Sequence, residues 1–142
     1  MSISPSQAIR QILINQNLAT DSLDADWRCV LLRLPDGIGV RDNILAVSEI
    51  EGGVGDRYIS TGEIITQPKV RILCRSTSYH EGYSLMMQIC DLIDTSQGCS
   101  VTINPETVVI HQISRSSGIM PSGLDSTMRR YHFSLDYEVH LR

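Results

Sequence analysis

From residue 130 to residue 141 the chain alternates without a break, and this constrains the fold more than any other feature. Tyr131, Phe133, Leu135, Tyr137, Val139 and Leu141 take every second position, and Arg130, His132, Ser134, Asp136, Glu138 and His140 take the rest. A period of two sends the first set to one side of an extended strand and the second set to the other. The spacing predicts a long strand over 128–142 with one apolar face and one face of mixed charge. Such a strand needs a sheet around it and something apolar to cover that sheet.

The rest of the chain supplies both. Ser4-Pro5-Ser6-Gln7 reads as a helix start: a capping serine, a proline at the first helical position and a glutamine placed to complete a capping box. Ile9, Ile12 and Leu13 then share a face, which predicts a helix over about 5–17. Residues 20–26 form a polar loop. Arg28–Leu34 and Asn43–Ile50 read as strands, with a turn at Pro35-Asp36-Gly37. Gly52, Gly53 and Gly55 break the pattern and predict a mobile loop across Gly52–Gly62. Lys69–Arg75 alternates again, with Val70, Ile72 and Cys74 on one side and Lys69, Arg71 and Arg75 on the other.

A second capping box, Ser78-Tyr79-His80-Glu81, opens a helix. Its core stripe is read as Tyr83, Met86, Met87, Cys90 and Ile93 or Asp94, ending near Gly98. Strands follow at about Cys99–Ile103 and Thr107–Ile113, split by Asn104-Pro105-Glu106. Ser114–Thr127 reads as a long loop before the terminal strand. The order helix, three strands, helix, three strands gives an α+β fold as one domain over 1–142. Its mostly antiparallel sheet has two helices packed on one face.

Composition excludes several function classes. With 42% hydrophobic and 20% charged residues the chain is globular. A net charge of −4 without a basic cluster argues against nucleic-acid binding. No apolar run is long enough to enter a membrane, and no signal peptide is recognisable. Cys29, Cys74, Cys90 and Cys99 lie too far apart for a CxxC pair, so reduced thiols in a cytoplasmic setting are expected.

Catalytic and metal-binding patterns are absent from the sequence, and no cofactor is expected. Asp21, Asp24 and Asp26 are followed by Trp27 and Arg28, not by the glycine and distal glutamate of a calcium loop. Gly37-Ile38-Gly39 precedes another strand where a phosphate cradle needs a helix, and reads as a hairpin turn. His80-Glu81 has no histidine one turn on to complete a zinc pair. His132 and His140 sit roughly 25 Å apart at strand rise, too far to share an ion.

From Val70 onward the chain resembles a known family. Val70-Arg71-Ile72-Leu73-Cys74-Arg75 leads into Ser78-Tyr79-His80-Glu81-Gly82 and then Met86-Met87-Gln88-Ile89. Later comes Ile119-Met120-Pro121-Ser122-Gly123-Leu124-Asp125, then Arg129, Arg130 and the alternating aromatic strand. Together these are similar to the bacteriophage tail terminators and their minor-capsid, head-tail joining relatives. The resemblance implies a virion structural protein at the tail–neck junction, assembled in the host cytoplasm. It implies a homohexameric ring that caps the head-proximal end of the tail tube, stops its polymerisation and offers a docking surface to the neck connector. Implied partners are other copies of itself, the tube protein, a sheath protein where the tail has one, and the connector. First-half elements match in order only.

On this reading Arg71, Arg75, Asp136 and Glu138 are interface candidates, because they share a sheet face that is either solvated or pressed on a polar partner. Arg57 and Tyr58 are candidates because arginine and tyrosine anchor interfaces and sit in the glycine-rich loop. Three other readings stay open. One is a different neck or head-completion protein, and one is a module of a non-viral secretion or contractile apparatus. The third is a small-molecule-binding or enzymatic α+β domain whose site is built from dispersed residues, His111, His132 and Asp136 among them.

Overall fold

The computed structural model describes residues 3–22, 26–31, 34, 41–50, 54–57, 64–66, 69–125 and 130–141. Among the described residues two helices and nine strands follow one another. They are α1 (Pro5–Asn15), β1 (Arg28–Leu31), β2 (Ile44–Ile50), β3 (Val54–Arg57), β4 (Ile64–Thr66), β5 (Lys69–Ser76), α2 (Tyr79–Asp94), β6 (Ser100–Ile103), β7 (Glu106–Arg115), β8 (Met120–Asp125) and β9 (Arg130–Leu141). The expected α+β order holds, with a seven-stranded, mostly antiparallel sheet.

β9 is the hub of that sheet. Along one edge it pairs antiparallel with β5, placing Val70 opposite Tyr137, Ile72 opposite Leu135 and Cys74 opposite Phe133. Its other edge is shared. β7 takes the C-terminal half, from Tyr137 to Leu141, and β8 takes the N-terminal half, from Arg130 to Ser134. β2 extends the sheet beyond β5, with Leu45 opposite Cys74 and Val47 opposite Ile72. Directly paired residues point the same way, so the apolar faces of the strands merge. Phe133, Leu135, Tyr137, Val139, Val70, Ile72, Cys74, Leu45 and Val47 are all buried there.

Both helices bury their apolar stripes in this one cluster. α1 starts as expected: Ser4 accepts from the Gln7 backbone N–H, and the Gln7 side chain accepts from the Ser4 N–H. It packs on β1, β2 and β6 through Ala8, Ile9, Ile12 and Leu13. α2 lies over β5, β7 and β9. It comes so close that a methyl group on Gly82 would stand 2.8 Å from the Phe133 ring and 2.9 Å from Cβ of Ser76. Only glycine fits the sheet at that approach.

Three local expectations are corrected. β1 and β2 run parallel, with Arg28 opposite Ile44 and Leu31 opposite Val47. They are therefore not a hairpin, since a parallel neighbour requires the chain to return to the far end first. The turns expected at 35–37 and 37–39 lie outside the described residues. Second, part of the loop expected over 114–127 is β8. Pro121 and Gly123 disguise it, yet proline is tolerated on an edge strand, and β9 offers an unpaired edge there. Third, within the glycine-rich stretch Val54–Arg57 is a strand paired with Ile64–Thr66. The remainder of that stretch, 52–53 and 58–62, lies outside the described residues.

The cysteines are free, as expected, and Cys29, Cys74 and Cys90 are buried while Cys99 is exposed. Burial pushes the Cys29 and Cys74 thiols up from 9.0 to about 12. In an unfolded chain those thiols ionise near the lower value. Stability should therefore hold below about pH 9 and fall as pH climbs toward about 12. An aromatic disulfide reagent should modify Cys99 at once in the native protein, and the buried thiols only after denaturant is added. Immediate reaction of all four would contradict this packing.

Candidate assembly surfaces

The polar face of β5 and β9 is largely satisfied within the subunit. Arg71 and Asp136 stand opposite each other in the ladder, and the guanidinium reaches both carboxylate oxygens at 2.8 and 3.1 Å. The hydrogen bond from Arg71 and the charge of Asp136 hold the guanidinium pKa above its usual range. Arg71 is 43% exposed, so the pair contributes at most about 1 kcal/mol. Glu138 faces Lys69 across the strands and meets His140 on its own strand at 2.8 Å. Arg71, Asp136 and Glu138 thus share a half-exposed face, and much of its charge is spent on pairs inside the subunit.

Arg75 is corrected. It alternates onto the same face but is only 2% exposed. Its Nε donates to the carbonyl of Asp42 at 3.1 Å and a terminal nitrogen donates to the carbonyl of Arg41 at 3.0 Å. A nearby residue repeats the arrangement: Arg130 is 4% exposed and lies 3.5 Å from the Asp42 carboxylate. These arginines tie the entry of β2 to the sheet, so Arg75 is a structural clamp and no docking group. Arg57 lies on β3, while Tyr58 lies outside the described residues.

The histidines do not converge. His111 is exposed at the irregularity of β7, between Ile110 and Gln112. His132 and Asp136 share a face of β9 but sit four residues apart, about 13 Å at strand rise. Among the described residues no cluster of histidine, cysteine or acid could hold a metal ion.

A surface missed by sequence reasoning lies on α2. Its buried residues are Gly82, Leu85, Met86, Ile89, Cys90 and Ile93. Tyr83 and Met87, expected in the core, are 38% and 45% exposed, and Tyr79 is 45% exposed. Tyr79, Tyr83 and Met87 fall one turn apart and form a second apolar stripe beside the buried one. The Tyr79 and Tyr83 rings stack 6.0 Å apart. Tyr79 also meets Tyr131 edge-on at 5.5 Å, and Tyr131 is the ladder partner of the exposed Leu124 on β8. The stripe therefore runs across the helix onto an edge strand. Helix 79–94 carries more apolar arc than one sheet can cover, and that excess was the available signal.

The other end of α2 is held by polar contacts. Tyr137 donates to Asp94 at 3.0 Å, and Arg115 reaches Asp94 at 3.2 Å and the Cys90 sulfur at 3.6 Å. Burial above all, then Cys90 and Asp94 nearby, pushes the Tyr137 hydroxyl above its usual range. α2 is thus fixed to β7 and β9, and its solvent stripe is presented from a rigid support.

A sequence model of a family described as bacteriophage tail terminator protein matches residues 12–142. No curated protein matches the chain. One solved structure is similar with a TM-score of 0.45 and 12% identity, over 96% of this chain and 97% of that one.

Proposed function

This chain belongs to the bacteriophage tail terminator family, and we propose that it closes the head-proximal end of a tail tube as a ring of identical subunits. It is a structural component of a phage tail, and hence of a virion, in a family that is not an enzyme family. The match over 12–142 is the observation that carries the proposal.

The physical account of termination is one of unlike faces. A growing tube presents an open subunit interface at its tip. A ring with one complementary face covers that interface, and its opposite face, having a different surface, recruits no further tube subunit. That opposite face is then available to the neck connector, and in a contractile tail a sheath protein meets the same ring. Six subunits are the expected number. Contacts around a closed ring are head-to-tail, so each subunit contributes two different patches. The apolar stripe of Tyr79, Tyr83, Met87 and Leu124 supports this reading as one such patch, because aromatic and methionine side chains anchor interfaces.

Mass photometry of the purified protein, with and without tail tubes, tests self-association. A species of about six subunit masses is expected, alone or on tube ends. A strict monomer that is also missing from tail ends would rule the proposal out.

A further inference from the structure

Between the end of α1, the start of β1 and the first turns of α2 lies a cleft of about 580 Å³. Asn17, Asp26, Trp27, Glu81, Ser84 and Gln88 are among the residues that line it. Asn17, Leu18, Asp26 and Trp27 also line an adjoining hollow of about 290 Å³. We propose that this cleft binds an arginine side chain presented on a short segment of a partner protein.

Four observations point to that chemistry. First, the lining is acidic and amide-rich, and among the described residues no lysine or arginine lines it. Second, the Glu81 carboxylate is available. The expected reciprocal capping box of α2 is only half formed: Ser78 Oγ accepts from the Glu81 N–H at 3.3 Å, but the Ser78 N–H donates to Ser76 Oγ at 3.1 Å. The serine at 76 has taken over the role that the glutamate would have had, and the carboxylate is left to face solvent in the cleft.

Third, Asp26 already accepts a guanidinium, that of Arg41, at 3.8 Å. Both partners are more than half exposed, so this is a loose contact that an incoming arginine can share. Fourth, the backbone that carries the tryptophan is anchored. Trp27 is held at φ 62°, a left-handed conformation costly for a bulky residue. Both of its backbone groups are tied, its N–H to the Asn43 carbonyl at 3.0 Å and its carbonyl to the Thr20 N–H at 3.0 Å. An indole carried on this anchored backbone, in one lining with carboxylates and amides, suits a planar, weakly hydrated guanidinium better than an ammonium. The volume exceeds one side chain and leaves room for the backbone that carries it.

Trp27 is the chain's sole tryptophan, so its fluorescence reports on this cleft and the hollow beside it. The probe is a blocked Gly-Arg-Gly peptide, titrated to tens of millimolar, with Gly-norleucine-Gly and Gly-Glu-Gly peptides as controls. The titration is run at about pH 8. The arginine peptide should give a saturable change that neither control gives. Glu81→Gln should weaken it about tenfold, as for loss of a charge-assisted hydrogen bond, with an unchanged far-ultraviolet spectrum. Asp26→Asn combined with Glu81→Gln should remove it.

No saturable change, an equal response to norleucine, or undiminished binding by the double variant would each overturn the proposal. The assay reads the isolated subunit. Failure here leaves the ring proposal untouched, and failure of the ring leaves this result standing.

Discussion

Arg75→Glu should strip this protein of a large part of its stability. The guanidinium is almost wholly buried and holds the carbonyls of Arg41 and Asp42. Reversal puts a carboxylate where two carbonyl oxygens converge, so the lost hydrogen bonds are replaced by repulsion. A buried charge stripped of its partners costs on the order of 3–5 kcal/mol. Domains of this size hold about 5–15 kcal/mol in total, so between about a fifth and all of that stability should be lost. Arg75→Lys keeps the charge but cannot span both carbonyls, and should cost about 1–3 kcal/mol. Asp136→Ala, which breaks only the half-exposed pair with Arg71, should stay within about 1 kcal/mol. Urea melts of the three variants check this ranking. An Arg75→Glu protein that melts like the parent would show that the clamp carries no stability.

The largest expected effect on assembly comes from α2. Replacing Tyr83 and Met87 together by serine should abolish ring formation while shifting the melt only slightly. Both side chains are more than a third exposed, and the core beneath them is made by Gly82, Met86, Ile89 and Cys90. Tyr79 is a poorer choice, because its ring packs on Phe133 at 5.2 Å, closer than the 6.2 Å of Tyr83, and its loss would weaken the fold more. An interface anchor costs about 2 kcal/mol or more when truncated, roughly thirtyfold in affinity for each residue. A closed ring repeats the loss at every contact. Mass photometry should show monomers where the parent gives rings. If instead the double variant assembles normally, the stripe is not a ring contact.

How much of this could be seen beforehand depended on whether the signal was local. The terminal alternation gave β9 and its core face, because period-two patterning needs no knowledge of neighbours. The helix caps at Ser4 and Ser78 are equally local, although Ser76 displaced Glu81 from its half of the second one. Pairing direction was not legible: β1 and β2 are both plain apolar strands, and nothing in them says parallel. β8 was hidden by Pro121 and Gly123, whose local preferences were outweighed by the open edge of β9.

The candidate surface was misread in two places for one reason. Alternation placed Arg75 with Arg71, but only the fold reveals that residues 41–42 lie over one and leave the other in water. Spacing on α2 likewise permits either apolar stripe to face the sheet. Close packing at Gly82 decided in favour of the stripe that includes Met86 and left Tyr83 and Met87 outside.

The central claim, that this protein ends the tail tube, is tested most directly by tail length. Phage lacking the protein should be imaged by negative-stain electron microscopy beside phage in which it is supplied from a plasmid. The account predicts tubes of broad, uncontrolled length that carry no heads in its absence, and uniform, head-joined tails once it is restored. Uniform tails joined to heads without the protein would contradict it.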